Sequence, residues 1–151
     1  MSPAARFRAR LEDARRVHLD ARVLAYHLLG DPRYLELTRL LFAGLRSGAV
    51  RGQTSALALY QLLVEPWRRG EEERATELAR HLSVVPGLDL LPVSADIAAQ
   101  AAQVRARLGG TPERAIHIAT ALDAAADLYL TEGSGLRRVA AVSVMNLEDY
   151  A

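Results

Sequence analysis

The run TPERAIHIATALDAAADLYLT (residues 111–131) limits the possible folds more than any other stretch of the sequence. Thr111 stands where a helix N-cap belongs, and Pro112 stands at the first helical position, where its missing N–H matters little. Apolar residues then recur at helical spacing to about Ala126. The following DLYLT (127–131) is short and continuously apolar, which predicts a strand buried on both faces. A helix passing straight into such a strand is half of a βαβ crossover. It implies a parallel sheet with helices on both sides.

The rest of the chain repeats that alternation. RVHLD (16–20) reads as a strand ending in an acid, and ARVLAYHLLG (21–30) as a helix closed by Gly30 and Asp31-Pro32. Residues 33–48 predict an amphipathic helix with Leu35, Leu37, Leu40, Leu41 and Leu45 inward. AVRGQTS (49–55) predicts a weak strand, 56–70 a helix broken near Pro66, and 71–83 a helix with its acids at the N-terminal end. LDLLPVS (88–94) is a strand, Ser94 caps a helix over 95–109, and VAAVSV (139–144) is a last strand or extended segment after the GSG turn (133–135). The expected architecture is a single α/β domain over 15–151, with a mostly parallel sheet of about five strands covered by helices on both faces. Residues 1–14 are expected to form an Arg-rich N-terminal extension, at most a short helix.

Composition narrows the setting. The 151 residues carry 19 basic and 18 acidic side chains for a net charge of +1, and every basic residue is Arg. Arg6, Arg8, Arg10, Arg15, Arg16 and Arg22 crowd the start and are read as a solvated arm, a phosphate-facing edge being the other use. Cysteine is absent, which removes disulfides and thiolate metal sites and fits a cytoplasmic protein. No apolar run approaches the roughly 20 residues of a membrane span, so no membrane partner is expected.

Sites in parallel sheets gather at the carboxyl ends of the strands. Those ends are Asp20, Thr54-Ser55, Ser94 and Thr131. Asp20 suits either a hard-cation ligand or a helix N-cap. Ser55 and Ser94 read as caps without a base partner. His18, His27, His81 and His117 show no paired metal spacing, and His117 is expected in the core or at an interface. GSG does not precede a helix as a phosphate cradle would. Trp67 is expected as a partly buried anchor after Pro66, with base stacking beside Arg68 and Arg69 as the other use.

Three blocks, VHLDARVLAYHLLGD, TSALALYQLLVEP and TPERAIHIATALDAAADLYLTEG, resemble in order and spacing the signature blocks of the PIN domain family, in particular its VapC-type toxins. The resemblance runs from about Arg16 to Tyr150. It implies Mg²⁺- or Mn²⁺-dependent ribonuclease activity from a cluster of acids at the carboxyl edge of the sheet. Of the family's four acid positions, only the first holds an acid, Asp20; the others hold Gln61, Arg114 and Gly133, while Thr131 is kept. Metal-assisted hydrolysis needs several convergent carboxylates. An amide is a poor substitute, and a guanidinium would repel the cation and pair with Asp20.

The resulting expectation is a degenerate metal site, with any cofactor bound weakly, and action through protein or nucleic-acid binding. The alternative is an active endoribonuclease toxin that recruits the neighbouring Glu113, Glu132 or both. Against Glu113, adjacent helical residues point about 100° apart. An unrelated doubly wound ligand binder explains Asp20 but not the ordered blocks. The resemblance also implies a homodimer, an antitoxin-like protein partner and RNA. Tyr34, Leu37, Leu41 and Phe42 are read as a self-association face or as plain core.

Overall fold

Alternation along each strand decides which side of the sheet a residue joins. A computed structural model describes residues 1–151. In chain order the elements are α1 (Pro3–Asp13), β1 (Val17–Leu19), α2 (Ala21–Leu29), α3 (Leu35–Ser47), β2 (Gly52–Ser55), α4 (Leu57–Arg68) and α5 (Glu72–Ser83). There follow β3 (Leu88–Leu91), α6 (Ala95–Leu108), α7 (Pro112–Asp123), β4 (Leu128–Thr131), β5 (Arg138–Val139), β6 (Val142–Asn146) and a 3-10 turn at Leu147–Asp149. The sheet order is β3-β2-β1-β4-β6-β5, parallel throughout except for the β5–β6 pair. No helix is long and apolar enough to cross a membrane.

On one face, Val17, Leu19, Leu128 and Leu130 join a large core with residues of α1, α2 and α3. The other face carries Tyr129, Val142 and Val144 against Ile118 and Ala121 of α7. His18, Gln53 and Tyr129 sit side by side in the strand register, so this second face also carries a polar line under α7.

Several expectations are corrected. The final strand is a hairpin: β5 is a short antiparallel edge, and β6 runs on to Asn146, giving six strands. The helix over α4 continues through Pro66, because the proline lies in its last turn and removes only one ladder bond. Pro66 is the buried anchor there, while Trp67 is 52% exposed and Arg68 and Arg69 pair with Glu65. Tyr34, Leu37, Leu41 and Phe42 are all buried in the main core, so this surface is not free for self-association. Leu35 and Leu40 are only half-buried; Thr38 and Phe42 take the inward places instead.

Residues 3–13 form a helix that docks. Ser2 caps it by accepting from the Ala5 N–H at 3.1 Å, and Phe7 and Leu11 lie fully buried in the main core, with Phe7 edge-on to Tyr150. Arg6, Arg8 and Arg10 stay on the solvent side.

Candidate functional site

Strand register builds the first part of the site. Leu19 pairs with Leu130 across β1 and β4, which sets Asp20 beside Thr131 at the carboxyl edge. The Thr131 hydroxyl donates to Asp20 Oδ2 at 2.7 Å, and the Tyr129 hydroxyl donates to the same oxygen at 3.1 Å. Asp20 also caps α2, its Oδ1 accepting from the Arg22 N–H at 3.3 Å. Burial, reinforced by the Asp20 carboxylate, pushes the Tyr129 phenol well above its ordinary pKa, so it remains a hydrogen-bond donor.

A line of polar groups runs along the α7 face of the sheet into the site, buried at Gln53, His18 and His117 and open to solvent at Arg16 and Asp89. Arg16 reaches Asp89 through one guanidinium nitrogen at 2.7 Å and the Gln53 amide oxygen through Nε. Gln53 Nε2 lies 3.0 Å from His18 Nδ1, His18 Nε2 lies 2.9 Å from His117 Nδ1, and His117 Nε2 lies 2.7 Å from Gln61 Oε1. Both rings are fully buried. Burial holds both imidazoles below their ordinary pKa; His117 and Arg16 depress His18 further, while Asp20 opposes the shift at His117.

The remaining positions close a cleft of about 280 Å³. Asp20, Gln61, Glu113, Arg114, Thr131, Glu132 and Gly133 all line it, together with other polar residues and no apolar side chain. The expected ion pair between Arg114 and Asp20 does not form. Thr111 caps the Arg114 N–H at 3.1 Å, and the guanidinium lies against Gly110, at the spot a side chain there would fill. Glu132 is committed elsewhere: its carboxylate accepts from Tyr26 at 3.1 Å and Tyr34 at 3.4 Å and pairs with Arg22 at 3.5 Å. Gly133 adopts φ +66°, and its N–H donates to both carboxylate oxygens of Glu148 at 3.0 and 3.1 Å. Glu113 lines the cleft at the start of α7. In all, no three His, Asp or Glu side chains stand together as a ligand set for a metal ion.

Other candidates fall outside this centre. Ser94 caps α6 as expected, accepting from the Ile97 N–H at 3.2 Å, whereas Ser55 ends β2 one residue before the α4 cap position at Ala56 and accepts from the Leu57 N–H at 3.1 Å. Ser134 of the GSG turn donates to Asn146 at 2.7 Å. His27 stacks on Phe42 with ring centres 3.8 Å apart, and His81 is exposed. Beside the cleft, a groove of about 460 Å³ opens between α2, α4 and α5. Leu28, Leu29, Leu62 and Leu78 line it, with Glu65, Arg69, Glu71 and Arg74 among its charged residues, and Gln61 lines both cavities.

No local sequence pattern encodes the polar chain beneath the cleft. One signal for it existed: a histidine in a buried strand and another in an apolar helix each need a buried partner. Nothing in their spacing says that the partner is the other histidine.

Among known proteins, the model of the PIN domain family matches residues 17–142. No curated protein matches the sequence. Among solved structures, DNA-bound VapBC from Salmonella typhimurium is similar with a TM-score of 0.67 and 17% identity, over 87% of this chain and 98% of that one. VapBC2 from Rickettsia felis, bound to a DNA fragment from its promoter, gives a TM-score of 0.64 and 16% identity over 87% and 98%. VapC20 from Mycobacterium tuberculosis, a toxin that cleaves the sarcin–ricin loop, gives 0.59 and 20% over 75% and 86%. At these identities the neighbours speak to fold, and the family match covers most of the chain. The α/β sheet, the ordered sequence blocks and the family match together make this chain a member of the PIN domain family.

Proposed function

We propose that this chain is a PIN-domain protein, related to VapC-type ribonuclease toxins, whose metal site is degenerate and which acts by binding protein or nucleic acid rather than by cutting RNA. One observation carries this reading. Of the four acid positions only Asp20 is an acid, and its carboxylate is already engaged by Thr131, Tyr129 and the Arg22 N–H. The donor set does not fit Mg²⁺ or Mn²⁺. Gln61 has given its amide oxygen to His117, Arg114 brings a fixed positive charge, and Gly133 has no side chain.

The alternative, an active endoribonuclease using Asp20 with Glu113 or Glu132, has Glu113 at the cleft in its favour. Glu132 would first have to leave two tyrosines and an arginine. The apolar groove with its charged rim suits the amphipathic helix of an antitoxin-like partner, and several structural neighbours are toxin–antitoxin complexes. Cytoplasmic residence, homodimer formation and RNA as a ligand belong to the same proposal.

The test is cleavage of labelled RNA in Mn²⁺ by the wild type, by Asp20→Ala, and by a variant combining Gln61→Glu, Arg114→Asp and Gly133→Asp. The wild type is expected to leave the RNA intact. Mn²⁺-dependent cutting by the wild type that Asp20→Ala abolishes would overturn the proposal in favour of the active enzyme.

A further inference from the structure

Gln61 ends a hydrogen-bond chain whose direction has a single solution. Arg16 Nε can only donate, so the Gln53 amide oxygen accepts and Gln53 Nε2 donates to His18 Nδ1. His18 therefore carries its proton on Nε2 and donates it to His117 Nδ1, and His117 likewise donates from Nε2 to Gln61 Oε1. Reversing the chain would set the Gln53 NH₂ against the Arg16 N–H, two donors face to face. With its oxygen turned to His117, the NH₂ is the part of the Gln61 amide left without a protein partner at the cleft it lines.

Arg114 lies one helical turn before His117 on α7, lines the same cleft, and has no carboxylate within ion-pairing distance. Two positions that would hold a cation if they were acids thus offer hydrogen-bond donors. We propose that Gln61 and Arg114 make the cleft a metal-free receptor for a phosphoryl group, taking its oxygens through the amide NH₂ and the guanidinium. The assignment rests on the degenerate-site reading and deepens it by naming the ligand chemistry. Donor direction rather than net charge selects the ligand: the Asp20 carboxylate is turned to Thr131 and Tyr129, Glu132 is paired with Arg22, and Glu113, beside Arg114, is the one carboxylate of the lining without a side-chain partner. A lining with no apolar side chain favours a phosphodiester over a peptide side chain. Arg16, Gln53, His18 and His117 act as positioning residues, holding the amide of Gln61 in one orientation.

The experiment measures anisotropy of fluorescein-labelled single-stranded RNA with the full chain in EDTA, with inorganic phosphate as competitor. Gln61→Glu keeps an acceptor for His117 but replaces the NH₂ with an oxygen, and Arg114→Gln removes the fixed charge. Each is expected to weaken binding by about tenfold or more, the scale of a hydrogen bond to a charged group, with melting temperatures near wild type. Displacement by phosphate would make an isolated phosphoryl group sufficient, whereas RNA binding that phosphate does not displace would assign the contact to the nucleic-acid backbone. Both outcomes support the proposal.

Absence of wild-type binding to either ligand, or affinity unchanged in Gln61→Glu, would overturn it. Nitrogen-15 NMR of the histidines gives an independent readout: both should be Nε2–H tautomers, and an Nδ1–H tautomer at either ring would overturn the assignment. Saturable Mn²⁺ binding by the wild type would sink the underlying degenerate-site reading. Unchanged RNA affinity in Gln61→Glu without Mn²⁺ binding would sink this inference alone.

Discussion

Mild acid should destabilise this protein through two buried histidines. Burial holds His18 and His117 below the unfolded value of about 6.5, so between their folded pKa values and that value the unfolded chain binds more protons. Stability is therefore greatest above about pH 6.5 and falls as pH drops below it. A ring that stayed wholly neutral when folded would lose on the order of 1 kcal/mol per pH unit below the unfolded value, so the pair sets an upper bound of roughly 3 kcal/mol between about pH 7.5 and 5.5. In a chain of this size that is roughly 6–11 °C in melting temperature. Partly buried His27 has the same sign. The lowered carboxyl pKa values of Asp31 and Asp127 act below this window, where their stabilisation is lost as they protonate.

The assay is urea unfolding followed by circular dichroism across that pH range. His117→Gln keeps one donor and one acceptor in the chain without a titrating ring, so it should remove part of the pH-dependent loss, the smaller part, because the His18 pKa is depressed further. Flat stability in the wild type, or an unchanged slope in His117→Gln, would mean that the buried rings do not set the pH dependence.

Other expectations follow from single contacts. Leu11→Ala empties a fully buried site under α1 and should cost about 2–5 kcal/mol by urea unfolding; a change under about 1 kcal/mol would mean that α1 does not dock. Thr131→Val removes the shorter of two hydroxyl bonds to Asp20 Oδ2 and should cost about 1 kcal/mol, seen as a melting temperature lowered by roughly 2–4 °C. Gly133→Ala meets no close neighbour but must adopt φ +66°, so it should cost about 1 kcal/mol from backbone strain alone, by the same melt.

Much of the fold was legible because strands and helices here announce themselves locally. DLYLT and RVHLD are short apolar runs, while Ser94, Thr111 with Pro112, and Gly30 mark helix ends that the structure places where expected. Where the sequence misled, distant packing decided. Phe7 and Leu11 are lone apolar residues in an Arg-rich stretch, and only the core built by later elements gives that helix a reason to dock. The same core claims Tyr34, Leu37, Leu41 and Phe42. At the site, position was legible and chemistry only partly so: the blocks located Asp20, Gln61, Arg114 and Gly133, which the fold gathers into one cleft. The ion pair expected of Arg114 failed because side-chain direction on α7 carries the guanidinium to Gly110. The chain from Arg16 to Gln61 draws on β1, β2, α4 and α7 together with the residue before β1, a juxtaposition that no local pattern encodes.

Calorimetric titration of metal-free protein with Mn²⁺ asks whether the four acid positions form a cation site. The wild type is expected to give no saturable heat, while a variant carrying Gln61→Glu and Arg114→Asp, with carboxylates beside Asp20 in the same cleft, gains binding. Saturable Mn²⁺ binding by the wild type, lost in Asp20→Ala, would mean that the cation site is intact and return the chain to the metal-dependent nucleases.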